Sequence, residues 1–187
     1  MTTNIVELIQ INLEYPPLQK IDPNIQEIKK PHLASGIQKL AQAAIPGVLA
    51  ALYKFSKTDE GAAKIVHTAN HEDWLKIFYS GKEQEAVEKV AHYAEMETDE
   101  VEAHMENIAD EAVRIVKEHA GSDPTIDKVR TYLKAQRHNI LVYLPADLSI
   151  GDLLNDDTID DRTNKMEGPI SNFMHKIENK FAGGGDS

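Results

Sequence analysis

The spacing of the apolar residues is the feature that most constrains the fold of this chain. The clearest example begins at Thr98 and ends near Gly121, and its apolar residues would share one face of a helix: Val101, Met105, Ile108, Ala112, Ile115 and Val116. Recurrence at every third or fourth position is the period of an amphipathic helix. We find no convincing segment in which apolar and polar residues alternate as they do in a strand. The sequence therefore predicts an all-α fold.

Turn and capping signals divide the chain into about seven to nine helices. We expect helices to begin at Thr58, Thr98 and Ser122, because Ser and Thr are favoured caps. We also expect the helix around Pro46 to bend or restart, because proline lacks the amide that the helix ladder needs. A length of 187 residues with 41% hydrophobic residues suits one compact domain. We place this domain at residues 1–155, followed over 156–187 by an acidic loop, an amphipathic helix and a flexible Gly-rich end.

Composition and motifs exclude several classes of protein. No apolar run approaches the roughly 20 residues of a membrane span, and the N-terminus lacks the features of a signal peptide, so we expect a soluble, cytoplasmic protein. The absence of cysteine excludes disulfides, thiolate zinc sites and a cysteine nucleophile. The sequence contains no Gly-x-Ser-x-Gly, Walker or Rossmann pattern, which disfavours serine hydrolysis and nucleotide chemistry. We predict no cofactor.

The net charge of −11 is concentrated in two segments. Residues 83–118 carry twelve acids against three basic residues, and residues 147–161 carry six Asp and no basic residue. Such surfaces attract divalent cations or basic partners and repel a phosphate backbone, so we expect no nucleic-acid partner. The simplest interpretation of both segments is a solvated surface that keeps the protein in solution.

Two stretches resemble a known bacterial family. The first runs from Ile45-Pro46-Gly47-Val48 to Leu52 and is followed by Thr58-Asp59-Glu60-Gly61; the second runs from Leu133 through Ile140 to Leu144-Pro145-Ala146. In order and spacing, these motifs resemble the YidB-like family, a helical domain of unknown function, over about residues 33–155. The resemblance implies a small helical protein without established catalytic residues. Residues 83–118 depart from the family pattern by being unusually acidic.

Three groups of residues are candidates for metal binding. His67 and His71 are four residues apart, but an expected helix start near Asn70 would separate them. Glu88 with His92 and Glu100 with His104 are carboxylate–imidazole pairs that could form a dinuclear site between two helices, although the bundle motif has Glu-x-x-His spacing. The Asp-rich run from Asn155 to Asp161 offers Asp157 and Asp160 as weak cation ligands, but it does not match an EF-hand loop. A solvated surface or a helix cap is the competing interpretation of each group.

Apolar residues near the C-terminus form a stripe at helical spacing: Ile170, Phe173, Met174, Ile177 and Phe181. Such a stripe would dock on the protein's own core, on a protein partner or on a second copy of the chain. Our leading hypothesis is a non-catalytic interaction or scaffold protein that acts through this stripe and through the acidic residues 95–111. The alternative is a metal-binding helical protein or metal-dependent enzyme that uses Glu88, His92, Glu100 and His104.

Overall fold

The computed structural model describes residues 3–21, 35–69 and 71–160, apart from the side chains of Asp157 and Asp160. This part of the chain is helical and contains no strand, which confirms the all-α prediction. Its α-helices are α1 (Ile5–Asn12), α2 (Gly36–Phe55), α3 (Asp59–His67), α4 (Trp74–Tyr79), α5 (Glu83–Ala94), α6 (Thr98–Ala120), α7 (Ile126–Leu141), α8 (Ile150–Leu154) and α9 (Asp157–Asp160). A short 3₁₀ helix, Ala146–Leu148, precedes α8.

Helix α2 is the centre of the core. Every residue from Leu40 to Leu52 is buried, and α4, α5, α6 and α7 all contact this helix. The expected restart at Pro46 is wrong, because α2 runs without interruption from Gly36 to Phe55. Proline at this position cannot donate a hydrogen bond to the carbonyl of Gln42, and its ring crowds that carbonyl. The helices packed around α2 hold it in place despite these two effects.

Short polar side chains begin several helices. Thr58 accepts a hydrogen bond from the Gly61 amide and caps α3, as predicted, and Asp73 caps α4 through the Lys76 amide. The other two predicted starts are displaced. Helix α6 begins with Thr98 inside its first turn and Glu97 at the cap position. Helix α7 begins at Ile126 with Thr125 as its cap, three residues after the expected Ser122, because Thr125 binds the Lys128 amide.

The segment after Pro145 packs on the domain. Its buried apolar residues are Leu148, Ile150, Leu153, Leu154 and Ile159. Lys57 Nζ lies 2.8 Å from Asp156 Oδ2, and the guanidinium of Arg137 donates to the carbonyl of Thr158 at 2.8 Å. The expectation of a loop is therefore wrong for residues 157–160, where burial of Ile159 fixes one helical turn. Residues 156–159 contact the helical domain that we had expected to end at 155.

No helix of the described residues combines the length and the apolar character that crossing a membrane requires.

Candidate partner-binding surface

Helix α6 places a line of carboxylates on one exposed side of the domain. Its apolar residues, from Val101 to Val116, are buried, so the residues between them face outward. Glu102, Glu106 and Asp110 are spaced by four residues, which sets them above one another on a helix. Asp73, at the start of α4, interacts electrostatically with Glu106 and Asp110. We call these four residues the acidic row.

Partial desolvation and neighbouring carboxylates raise the pKa of two members of the acidic row, Glu106 and Asp110. The pKa of Glu106 lies above its usual value because of partial desolvation and then the charges of Glu102, Asp73 and Asp110, with His71 opposing them. Partial desolvation also raises the pKa of Asp110, His71 lowers it, and Asp73 raises it further. The imidazole Nδ1 of His71 lies 3.3 Å from Asp110 Oδ2. The row therefore retains unrelieved repulsion between like charges.

Few Lys or Arg side chains among the described residues offset the negative charge of the acidic row. No Lys or Arg nitrogen of the described ranges lies within 4.0 Å of a carboxylate oxygen of Asp73, Glu102 or Glu106. Glu102 accepts one hydrogen bond, from the amide of Gln84 at 2.8 Å. The end of α6 differs, because Arg114 there bridges Glu111 and Glu118 at 2.7 and 3.0 Å. The hydrogen bond from Arg114 lowers the pKa of Glu111, with Asn12 adding to the effect.

The predicted His and Glu ligands are distributed over α3, α5, α6 and the segment before α4. Helix α3 ends at His67, and His71 precedes α4, so the two histidines are not on one helix. Glu88 and His92 are exposed on α5, and Glu100 is exposed on α6. Within the ranges that the structure covers, no group of three or more His, Asp or Glu residues is arranged to hold a metal ion. The hypothesised dinuclear site is not assembled there.

His104 has a different neighbour from the one that the metal hypothesis requires. Its Nδ1 lies 2.6 Å from the hydroxyl of Tyr15, and the two ring centroids are 5.7 Å apart. Burial raises the pKa of Tyr15 to about 12. The phenol is therefore protonated at neutral pH, and it shares with Nδ1 a hydrogen bond whose direction depends on the imidazole tautomer. His104 positions the segment that follows α1.

The remaining predicted site residues lie outside what the structure describes. These are the side chains of Asp157 and Asp160 and the C-terminal residues Ile170, Phe173, Met174, Ile177 and Phe181.

Sequence reasoning found the acidic character of α6 and missed Asp73. Asp73 lies in the helix start that we expected near Asn70, and it does cap α4. The packing of α4 on α6 brings it to Glu106 and Asp110. No local signal reports that contact, because it depends on tertiary packing between residues more than 30 positions apart.

Comparisons with protein-family models, with curated proteins and with solved structures found no match to this chain.

Proposed function

We propose that this chain is a non-catalytic, all-α interaction protein of the YidB-like type, which binds basic surfaces of protein partners in the cytoplasm. The acidic row is the contact surface in this proposal. Its support is a single observation: Glu106 and Asp110 have raised pKa values beside Glu102 and Asp73, where the described residues supply few cations. The resemblance of residues 33–155 to that family agrees with the proposal, because it implies a helical protein without catalytic residues.

The electrostatics of the row favour a basic partner. A Lys or Arg placed within 4 to 6 Å of two carboxylates stabilises their charged forms and lowers their pKa values. The repulsion present in the free protein is then relieved in the complex, so this term contributes to binding. A charged surface of this kind also speeds the encounter with a partner of opposite charge, and salt weakens that effect.

Paired charge-reversal variants test the acidic row. The Glu102→Lys/Glu106→Lys variant changes the charge of the row by four units. The control Glu60→Lys/Asp123→Lys makes the same change in charge at two exposed carboxylates, one on α3 and one between α6 and α7. We expect cross-linking to the wild-type chain in cells to capture a partner that binds the purified protein, and that binding should weaken as salt is raised. The row variant should lose at least tenfold in affinity while the control changes by less than threefold.

Equal losses in the two variants would mean that net charge, and not the acidic row, decides binding. An affinity that does not depend on salt would contradict an electrostatic contact.

The C-terminal stripe forms a second contact in this proposal, for a partner or for another copy of the chain. Its support is the sequence spacing of Phe173 and Ile177 with their apolar neighbours. In the full chain, Phe173→Ser/Ile177→Ser should change the oligomeric state in light scattering or remove the partner from cross-linking. If neither readout changes, the stripe is not a contact surface.

A further inference from the structure

Residues 3–21 form a separate unit on the domain, which we call the N-terminal strap. The strap consists of α1 and the chain that follows it up to Ile21. Ile5, Val6 and Ile9 of α1 are fully buried against the core, and Leu8, Leu13, Tyr15 and Leu18 pack against its edge. Residues 22–34 join the strap to the rest of the domain, so 13 residues connect Ile21 to Ser35.

Two fully buried glutamines hold the backbone of the strap. The side chain of Gln136 accepts from the Ile5 amide at 3.1 Å and donates to the Thr3 carbonyl at 3.0 Å. The side chain of Gln42 accepts from the Gln19 amide at 2.8 Å and donates to the Gln19 carbonyl at 3.0 Å. Gln42 also donates to the Tyr143 carbonyl at 2.7 Å, so it fixes the strap relative to the end of α7. We call these glutamines and the apolar pockets between them the seat.

The other contacts of the strap are equally remote in sequence. The Ile21 amide donates to the Val142 carbonyl at 2.8 Å, and Asn12 donates to Glu111 at 2.7 Å. The nearest of these partners in sequence is Gln42, 23 residues from Gln19, and the others are about 90 to 130 residues away. The strap is therefore held by the domain and not by the chain next to it.

The chemistry of the seat restricts what can occupy it. The side-chain amides of the two glutamines form hydrogen bonds with the backbone of the occupant at two places. Between them, the occupant must bury apolar side chains at the first, second and fifth positions of a short helix. Residues 3–21 of a second copy meet these requirements, because they have the same sequence as the strap that occupies the seat. The closed chain and a pair of chains that exchange straps would make the same contacts, so the linker and the protein concentration decide between them. Thirteen residues can span up to about 45 Å when extended.

We propose that the seat also accepts the strap of a second copy of this chain, so that two chains exchange residues 3–21. This inference is independent of the acidic row, because none of the strap contacts described above uses Asp73, Glu102, Glu106 or Asp110.

Energy transfer between full-length chains tests the exchange. Because the chain has no cysteine, a single dye can be placed on each preparation. One preparation carries a donor at Ile11→Cys, which is an exposed position of the strap, and the other carries an acceptor at Asn107→Cys, which is exposed on α6 one turn before the Glu111 that binds Asn12. We expect transfer that grows over hours after mixing, in a species of twice the chain mass.

Gln42→Leu makes the test specific for the strap. This variant removes the hydrogen bonds that hold Gln19, so opening and exchange should be about tenfold faster, the effect of roughly one or two lost hydrogen bonds. The matched control is Gln84→Leu, at an exposed glutamine on α5 that contacts Glu102 and not the strap. The control should leave the exchange rate unchanged.

Several results would overturn the exchange. The first is transfer that stays at the level of freshly mixed chains at high protein concentration and just below the unfolding temperature. The second is transfer that is complete at once, reverses on dilution and is the same in Gln42→Leu, which would indicate face-to-face association. If Gln42→Leu does not fold, the wild-type time course decides alone.

Exchange should persist in 0.5 M salt, about where binding through the acidic row weakens, so the failure of one proposal is distinguishable from the failure of the other.

Discussion

At the scale of single residues, two helical glycines make opposite contacts. Gly61 lies in the first turn of α3, against the end of α2. A Cβ atom there would overlap the Phe55 carbonyl oxygen and lie 2.8 Å from Thr58 Oγ1, the atom that caps α3. Gly47 lies inside α2, and a Cβ atom there would be 3.7 Å from the Tyr79 hydroxyl oxygen, an ordinary contact.

These contacts predict opposite effects of the same substitution. Gly61→Ala should lower the free energy of unfolding by about 2 kcal/mol or more, because backbone must move to admit the methyl group. Gly47→Ala should raise it by about 0.5 to 1 kcal/mol, because alanine restricts the unfolded chain and favours the helix. Urea unfolding of both variants measures the difference. A similar decrease in the free energy of unfolding of both variants would show that the space beside Gly47 cannot accept a methyl group.

Gln136 stabilises the strap by a contact that a hydrophobic residue of similar size cannot replace. Gln136→Leu leaves the buried Ile5 amide without its acceptor, at a cost of about 1 to 3 kcal/mol. The substitution should accelerate amide hydrogen exchange more in α1 than in α2, because the lost hydrogen bond stabilises only the strap. Gln84→Leu, at the surface, should leave both rates unchanged. Equal acceleration in α1 and α2 would mean that the strap does not open separately.

At the scale of the elements, α6 carries charges that destabilise the folded state at neutral pH. The pKa of Glu106 is higher in the folded protein than its usual value, so the folded state binds this proton more tightly than the unfolded state does. The contribution of Glu106 to stability is therefore greatest below the unfolded pKa of about 4.3 and falls as pH rises through the folded pKa. Solvent exposure keeps the effect small.

Glu106→Gln should accordingly stabilise the protein at pH 7 by about 0.5 kcal/mol or less, given solvent screening, and should give no gain at pH 3. Thermal unfolding at the two pH values checks both parts. Glu60→Gln is the control, because Glu60 lies in the first turn of α3, where its charge is favourable to the helix. A gain at pH 7 in the control as well would indicate that general charge reduction, and not the acidic row, stabilises the variant.

The helices themselves could be predicted to a large extent from the sequence. The apolar period located α6 closely, and the Thr58 cap located the start of α3. The error at Pro46 arose because propensity was weighed without tertiary packing, and α2 is buried along most of its length. The error at residues 157–160 arose because the loop was predicted from the Asp residues alone. Ile159, which packs against the core, was not taken into account.

The surface features could be predicted less well. Acidic residues on α6 were evident from the sequence, but their grouping with Asp73 depends on the packing of α4 on α6. The hydrogen-bonding roles of Gln42 and Gln136 were not predicted, because a glutamine in an apolar stripe has no local sign of the distant backbone that it binds. His104 was only a candidate metal ligand, and its contact with Tyr15, 89 residues away, has no local sign in the sequence.

At the scale of the whole molecule, the net charge of −11 and its concentration in two segments of the sequence should make stability depend on salt. At 0.01 M salt the screening length is about 30 Å, so the charges of α5, α6 and the residues around Asp147 repel one another across the domain. Raising NaCl to 0.15 M shortens this length to about 8 Å and should raise Tm by a few degrees.

The variant Glu102→Gln/Glu106→Gln/Asp110→Asn should show a smaller rise in Tm with salt, because it removes three of the charges. Thermal scans at the two salt concentrations make the comparison. A rise as large as that of the wild type would place the repulsion elsewhere on the surface.

The position of the seat also has a consequence for the newly made chain. Ile5 leaves the ribosome well before Gln136, which binds its amide and is synthesised 131 residues later. A helix of eight residues is not stable alone, so α1 gains its native contacts only after α7 has emerged. Helix α1 is thus made before α7 and docks only after it. A product cut short before α7 would keep Ile5, Val6 and Ile9 exposed, and we expect chaperones and proteases to recognise it.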